Sequence, residues 1–136
     1  MGPLTTAVFF YGLFMDDALL AAKGFRGRGS RPGVVRDWAL RIGRRATMLP
    51  TAGETVHGII TSMAVTDVER LYAEDSVRMY RPVAVLVEAE AAVAAIAYVL
   101  PEPPAVDERN PEYAAKLRSL CGRLGFPEDY IMRIGY

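Results

Sequence analysis

Two adjacent carboxylates, Glu74 and Asp75, are the residues of this sequence best suited to moving a proton. A carboxyl group beside a reacting centre can take a proton and return it within one cycle when its surroundings bring its pKa toward neutrality. The pair follows Thr66-Asp67-Val68-Glu69, which reads as a capping box with Thr66 as N-cap and Glu69 at N3. A short helix is expected through Arg70-Leu71-Tyr72-Ala73, with the two acids at its end. Negative charge there opposes the helix dipole, so stability alone does not favour this placement. Local rules are broken most often where function requires it. A solvent-exposed turn accounts for the two acids equally well.

A second candidate is the apolar run Val8-Phe9-Phe10-Tyr11-Gly12-Leu13-Phe14-Met15. It predicts a fully buried strand that breaks at Gly12. Glycine frees the backbone to turn and lets a ligand come close where a side chain would obstruct it. Amides leaving a strand without sheet partners can serve an anion instead. A core strand ending at a turn is the plainer interpretation. His57 is the single histidine, with no companion histidine or cysteine nearby, so a strand position with a local hydrogen bond is expected and no metal site. Cys121 is the single cysteine; no intrachain disulfide can form, and a small buried hydrophobe is expected.

These residues need elements to position them. The first strand is expected over Thr5 to Tyr11. Asp16 or Asp17 caps a short helix through Ala22, stopped by Gly24. The glycine-rich segment from Gly24 to Gly33 reads as flexible. Val34-Val35 and Trp38 to Ile42 suggest a strand, and Met48 to Gly53 a loop with turn chemistry. Val56 to Met63 is a β-branched strand. Val83 to Glu88 is another, partnered by Ala92 to Leu100. Pro101 to Pro104 ends regular structure. Asn110-Pro111 starts a helix whose stripe is Tyr113, Leu117, Leu120 and Leu124. Pro127-Glu128-Asp129 starts a last short one. Strands in the middle and helices at the tail argue for an α+β fold.

With 136 residues the chain is expected to be one domain, residues 1–136, with a substantial core. Sixteen basic side chains balance sixteen acidic ones, which argues against general attraction to nucleic acid or anionic membrane. The densest basic segment, Arg26, Arg28, Arg31, Arg36, Arg41, Arg44 and Arg45, lacks an aromatic stacking ladder and reads as a solvated exterior. Ala91 to Leu100 is too short to cross a bilayer. The N-terminus carries no basic segment followed by an apolar core, and a cytoplasmic location is expected. The glycines lack the spacing and lysine of a phosphate-binding loop.

Tyr11-Gly12-Leu13-Phe14-Met15 resembles the Tyr-Gly-Ser/Thr-Leu-Met signature of the γ-glutamylcyclotransferase-like superfamily. Four further segments follow in the same order. Pro50, Gly53 and Val56-His57-Gly58 resemble its Pro…Gly…Val-x-Gly strand entry. Leu71 to Val77 with Tyr80-Arg81-Pro82 resembles its helix, acidic residue and tyrosine. Asn110 to Tyr113 and Leu124 to Ile131 resemble the tail of bacterial members.

The resemblance implies a small mixed β-barrel of about five to seven strands with flanking helices. It also implies cyclisation of a γ-glutamyl group to 5-oxoproline with release of an amine or amino acid. The nucleophile in that reaction is the substrate's own α-amine, so no activated serine or cysteine and no cofactor is needed. Positioning supplies much of the rate. The implied site consists of an acid/base carboxylate and substrate contacts from Tyr11, Gly12, Leu13, Phe14, Tyr80 and Tyr113. Glu74 has the identity and reach for the acid/base; Asp75 has the better count from Leu71. Leu13 stands where the signature has Ser or Thr, Tyr72 where it has Asp and Ser76 where it has Gly. The expected partner is a small γ-glutamyl compound, not nucleic acid or membrane. Two rival expectations are a small-carboxylate binder on the same fold and an oligomeric scaffold.

Overall fold

A computed structural model describes residues 4–135. Five strands close into a barrel: β1 (Thr5–Phe10), β2 (Arg28–Ile42), β3 (Ala46–Ala64), β4 (Arg81–Glu88) and β5 (Ala92–Val99). The order around the barrel is β1-β3-β2-β4-β5. All neighbours are antiparallel except β1 and β5, which run parallel with Val8 opposite Ile96. Four helices flank it: α1 (Asp17–Ala22), α2 (Val65–Leu71), α3 (Pro111–Arg123) and α4 (Glu128–Arg133). This is the small mixed barrel expected from the resemblance. No helix among the described residues is long and apolar enough to cross a membrane.

The unbroken apolar run of β1 has a direct cause. Alternate side chains of a strand point to opposite faces. Phe9 and Tyr11 join Val35, Met48, Val56 and Ile60 inside the barrel. Val8 and Phe10 join Met63, Leu71, Leu117 and Leu120, between the outer barrel wall and the helices. Both faces of the second half of β1, Val8 to Phe10, are therefore buried, and both are apolar.

Two segments expected as loops are strand. β2 begins at Arg28, inside the glycine-rich stretch, and β3 runs through Met48 to Gly53. Cross-strand pairing overrides the local turn chemistry: Trp38 faces Pro50, and Leu40 faces Met48. The ladder takes up the glycines at irregularities between Arg28 and Arg31 and between Arg36 and Trp38. Such bulges add the bend and twist that long barrel strands need. At the second, Asp37 takes a left-handed conformation (φ 65°) and its Oδ1 accepts from the Gly53 amide at 3.0 Å. Gly33 has a packing role. A Cβ there would lie 2.5 Å from Val87 Cγ1, beside the Val34–Glu88 pair that joins β2 to β4.

The capping box at Thr66 does not form. β3 passes straight into α2, whose N-cap is Ala64 with no side-chain cap. The Val65 amide donates instead to the Leu4 carbonyl at 2.9 Å, so strand continuity sets the helix start. The caps of α1 and α3 form as expected. Asp16 Oδ1 accepts from the Ala18 amide, and Asn110 Oδ1 from the Tyr113 amide. α3 buries Ala114, Leu117, Leu120 and Cys121 against the barrel, while Tyr113 and Leu124 lie at the margin of that face.

Candidate functional site

The end of β1 builds one wall of a cavity of about 490 Å³. After Phe10 the chain makes a short 3-10 turn, Leu13–Met15. The Met15 amide donates to the Gly12 carbonyl at 3.1 Å, and the Asp16 amide to the Leu13 carbonyl at 3.0 Å. The Leu13 amide donates to the Tyr113 hydroxyl at 3.2 Å. Among the described residues, the amides of Gly12 and Phe14 have no protein acceptor.

Gly12 does allow a close approach, and the group that approaches is Tyr113. A Cβ on Gly12 would sit 2.5 Å from the tyrosine hydroxyl. α3 thus reaches across to lock the turn through one phenol. Tyr113 is both a cavity wall and a brace for the backbone that forms it.

The remaining walls are mostly aromatic. Tyr11, inside the barrel, donates its hydroxyl to the Tyr98 carbonyl at 2.6 Å. Tyr80 donates to the Ala46 carbonyl at 2.5 Å. Tyr72 and Tyr98 stack face to face, with centroids 3.8 Å apart and planes inclined by 8°. Phe14 meets Tyr72 edge-on at 5.7 Å. Burial raises the pKa of every one of these five phenols, and mutual repulsion between the would-be phenolates pushes Tyr11, Tyr72 and Tyr80 further in the same direction. They stay neutral at physiological pH and offer hydrogen bonds, not a base.

The charged side chains that line the cavity are Lys23, Arg44 and Arg45; no carboxylate lines it among the described residues. Lys23, at the end of α1, bonds Glu74 Oε1 at 2.7 Å. Arg45 Nε donates to the Ser76 carbonyl at 3.2 Å. The β2–β3 turn carrying both arginines is tied to the segment before α3. Glu108 Oε1 accepts from the Arg44 amide at 3.1 Å, and Asn110 Nδ2 donates to the Arg44 carbonyl at 2.9 Å. Donation from the Ala105 amide, and then from the Arg44 amide, holds the Glu108 carboxyl below the usual carboxylate range.

The structure brings together Tyr11, Gly12, Leu13, Phe14, Tyr80 and Tyr113 on one cavity. Neither Glu74 nor Asp75 is part of its wall, although Ser76 and Val77 of the same turn are. Glu74 reaches the wall through its bond to Lys23. The Asp75 side chain is 97% exposed, 3.7 Å from Arg78. His57 lies elsewhere on β3, against Tyr130 at 4.6 Å and Phe126 at 5.8 Å. Desolvation lowers its pKa, with the nearby Arg133 charge acting in the same direction.

Sequence reasoning passed over Lys23, Arg44, Arg45, Tyr72 and Tyr98. A weak signal existed for the arginines. Gly43-Arg44-Arg45 sits between two strand patterns, where a turn would carry both charges to one barrel end. Tyr72 was visible only as a tyrosine replacing an acid. The assembled walls suit an anion with an apolar body: cations and free amides for the charge, and phenols for polar atoms further along.

A family model described as γ-glutamyl cyclotransferase, AIG2-like, matches residues 8–116. Among solved structures, a γ-glutamyl cyclotransferase is similar with a TM-score of 0.77 at 16% identity, covering 96% of this chain and 86% of that one. YkqA from Bacillus subtilis gives 0.75 at 22% identity, covering 95% of this chain and 52% of that one. A yeast γ-glutamyl cyclotransferase specific to glutathione gives 0.61 at 14%, covering 96% and 93%. At these identities the structural likeness shows the fold. Among curated proteins, no sequence matches this one. By the extent of the family match and the barrel it folds into, the chain belongs to the γ-glutamyl cyclotransferase, AIG2-like family.

Proposed function

We propose that this chain holds a small carboxylate-bearing compound of the γ-glutamyl or 5-oxoproline class in the tyrosine-lined cavity. One observation carries the reading: Lys23, Arg44 and Arg45 line the cavity with Gly12 and Phe14, whose amides have no protein acceptor among the described residues, and no carboxylate among those residues lines it. A carboxylate entering it gains charge-assisted hydrogen bonds, each stronger than a neutral one. The neutral phenols add directional donors and acceptors for an amide or lactam.

A second reading is turnover, favoured by the bond between Glu74 and the cavity-lining Lys23. Cyclisation joins the α-nitrogen to the γ-carbonyl carbon and breaks the bond from that carbon to the leaving nitrogen. The proton lost by the amine goes to the base and returns to the leaving nitrogen. Glu74 would perform both transfers after exchanging Lys23 for the substrate, and the Phe14 amide would face the oxyanion.

Calorimetric titration with 5-oxoproline, paired with mass-spectrometric detection of its release from a γ-glutamyl panel, separates the two readings. Binding without release supports the binder. Release abolished by Glu74→Gln supports turnover with Glu74 as base. The Lys23–Glu74 pair is partly exposed and contributes less than about 1 kcal/mol to stability, so unfolding would not explain that loss. Release abolished by Asp75→Asn but not by Glu74→Gln would move the role to Asp75. Neither binding nor release would overturn the proposal.

A further inference from the structure

We infer that Tyr72 is a specificity-determining residue whose hydroxyl donates to a neutral acyl oxygen of the bound compound, the γ-carbonyl or lactam oxygen. The inference rests on the carboxylate-binding reading above and deepens it. Its basis is what each phenol of the wall already does. Tyr11 donates to the Tyr98 carbonyl and Tyr80 to the Ala46 carbonyl. Tyr113 accepts from the Leu13 amide, and it is the contact that the resemblance already implies. Tyr72 lines the same cavity, and its hydroxyl has no hydrogen-bond partner among the described residues. Buried phenols ordinarily find one. No fully enclosed side-chain oxygen or nitrogen is left without a partner among those residues, so the Tyr72 oxygen is not sealed in packing. The Tyr98 hydroxyl has no partner either, but its setting differs. Burial and then the nearby Glu69 carboxylate on α2 raise its pKa, so it borders a charged side chain.

The Tyr72 ring is held on two sides. It stacks on Tyr98 with centroids 3.8 Å apart and planes inclined by 8°, and Phe14 meets it edge-on at 5.7 Å. Its O–H is left to turn toward a ligand. The Phe14 amide also lacks a protein acceptor among the described residues, so the residue packed on this phenol brings a second donor. Burial, and then the neighbouring phenols, keep Tyr72 protonated at physiological pH.

The cations and the phenol thus read different groups. Lys23, Arg44 and Arg45 attract any carboxylate, and charge alone does not tell one acid from another. A fixed neutral donor does. It bonds a carbonyl oxygen, whereas a methylene at the same place strips its water and gives nothing back. A γ-glutamyl compound and 5-oxoproline both carry the oxygen required.

The test is a pair of cyclic acids, 5-oxoproline and cyclopentanecarboxylate, titrated calorimetrically into the wild type, Tyr72→Phe and Tyr98→Phe. The acids share a five-membered ring and a carboxylate; the second lacks the lactam. The wild type is expected to bind 5-oxoproline at least about tenfold more tightly. Tyr72→Phe keeps the stacked ring and should weaken 5-oxoproline about tenfold while leaving cyclopentanecarboxylate within about twofold. Tyr98→Phe should change neither, and unaltered urea midpoints confirm that both variants fold. Equal affinity of the wild type for the two acids overturns the inference, as does unchanged 5-oxoproline binding in Tyr72→Phe. Equal weakening of both acids overturns it too, since Tyr72 would then serve only the shape of the wall. A loss in Tyr98→Phe as large as in Tyr72→Phe also overturns it. Binding of neither acid by the wild type overturns the reading on which it rests.

Discussion

Replacing Gly12 by alanine tests how the cavity turn is held. Gly12 has φ −114° and ψ −152°, which alanine adopts without strain, so the effect must come from contact and not from backbone conformation. The added methyl would lie 2.5 Å from the Tyr113 hydroxyl and 3.9 Å from its Cζ. Tyr113 cannot retreat easily, because its helix is capped by Asn110 and anchored by the buried Ala114, Leu117 and Leu120. Overpacking of this kind costs about 1–3 kcal/mol. Loss of the bond from the Leu13 amide adds about 1 kcal/mol. The expected destabilisation is therefore about 2–4 kcal/mol, or roughly 3–5 °C of Tm for each kcal/mol in a domain of this length.

A double-mutant cycle isolates the cause. Tyr113→Phe removes the oxygen that clashes and, by itself, costs about 1 kcal/mol through the lost hydrogen bond. In that background the nearest ring atom is at an ordinary contact distance from the new methyl, and Gly12→Ala becomes nearly neutral. Urea unfolding of the four proteins should give a coupling of at least about 1 kcal/mol, the double variant being more stable than the two single effects predict. Additive effects would refute the reasoning, since Gly12 would then matter for something other than the approach of Tyr113.

Gly33→Ala should cost about 1–3 kcal/mol by denaturant unfolding, because the fully buried Val87 stands 2.5 Å from the new Cβ at the β2–β4 seam; an unchanged midpoint would mean that the seam is loose. His57 has a lowered pKa, so the unfolded chain binds the proton more readily and stability must rise with pH through that window. The stability difference between wild type and His57→Gln should thus shift against the wild type as pH falls below about 6.5 and level off below the folded-state pKa; a shift in the opposite direction would contradict the burial of the ring. Burial pushes the Cys121 thiol up to about 11, and it should react with a thiol-specific disulfide reagent only as the protein unfolds. Rapid labelling in native buffer would show that α3 opens locally.

Elements whose causes are local were readable from the sequence. The Asn110 cap followed by proline needs only its own first turn, and the run in β1 needs only two apolar faces. Elements decided by distant partners were not. Met48 to Gly53 carries loop chemistry, yet it is strand because β2 lies beside it. Thr66 has the residues of a capping box, yet β3 delivers the chain into α2 before that box can form. The same division runs through the site. Tyr11 to Phe14 declare themselves as a strand breaking at glycine, whereas Arg44 and Arg45 look like any charged turn. Glu108 and Asn110, more than sixty residues further along the chain, tie Arg44 to the cavity rim, and the Ser76 carbonyl holds Arg45.

That division bears on how chemistry and fold part company in this chain. The barrel depends on alternating apolar positions and a few close glycine contacts, none of which requires a charge at residue 72 or 75. A tyrosine at 72 fills the cavity wall by stacking on Tyr98, and the barrel packs around it with Val68 and Leu71 still buried on α2. The carboxylates of the following turn pair elsewhere, Glu74 with the cavity-lining Lys23 and the exposed Asp75 with Arg78. The wall thus holds a phenol at 72 beside Lys23, Arg44 and Arg45, and no carboxylate among the described residues. The packing of the barrel and the charge of this turn can therefore vary separately, because the wall that Tyr72 completes is held by stacking and not by either acid.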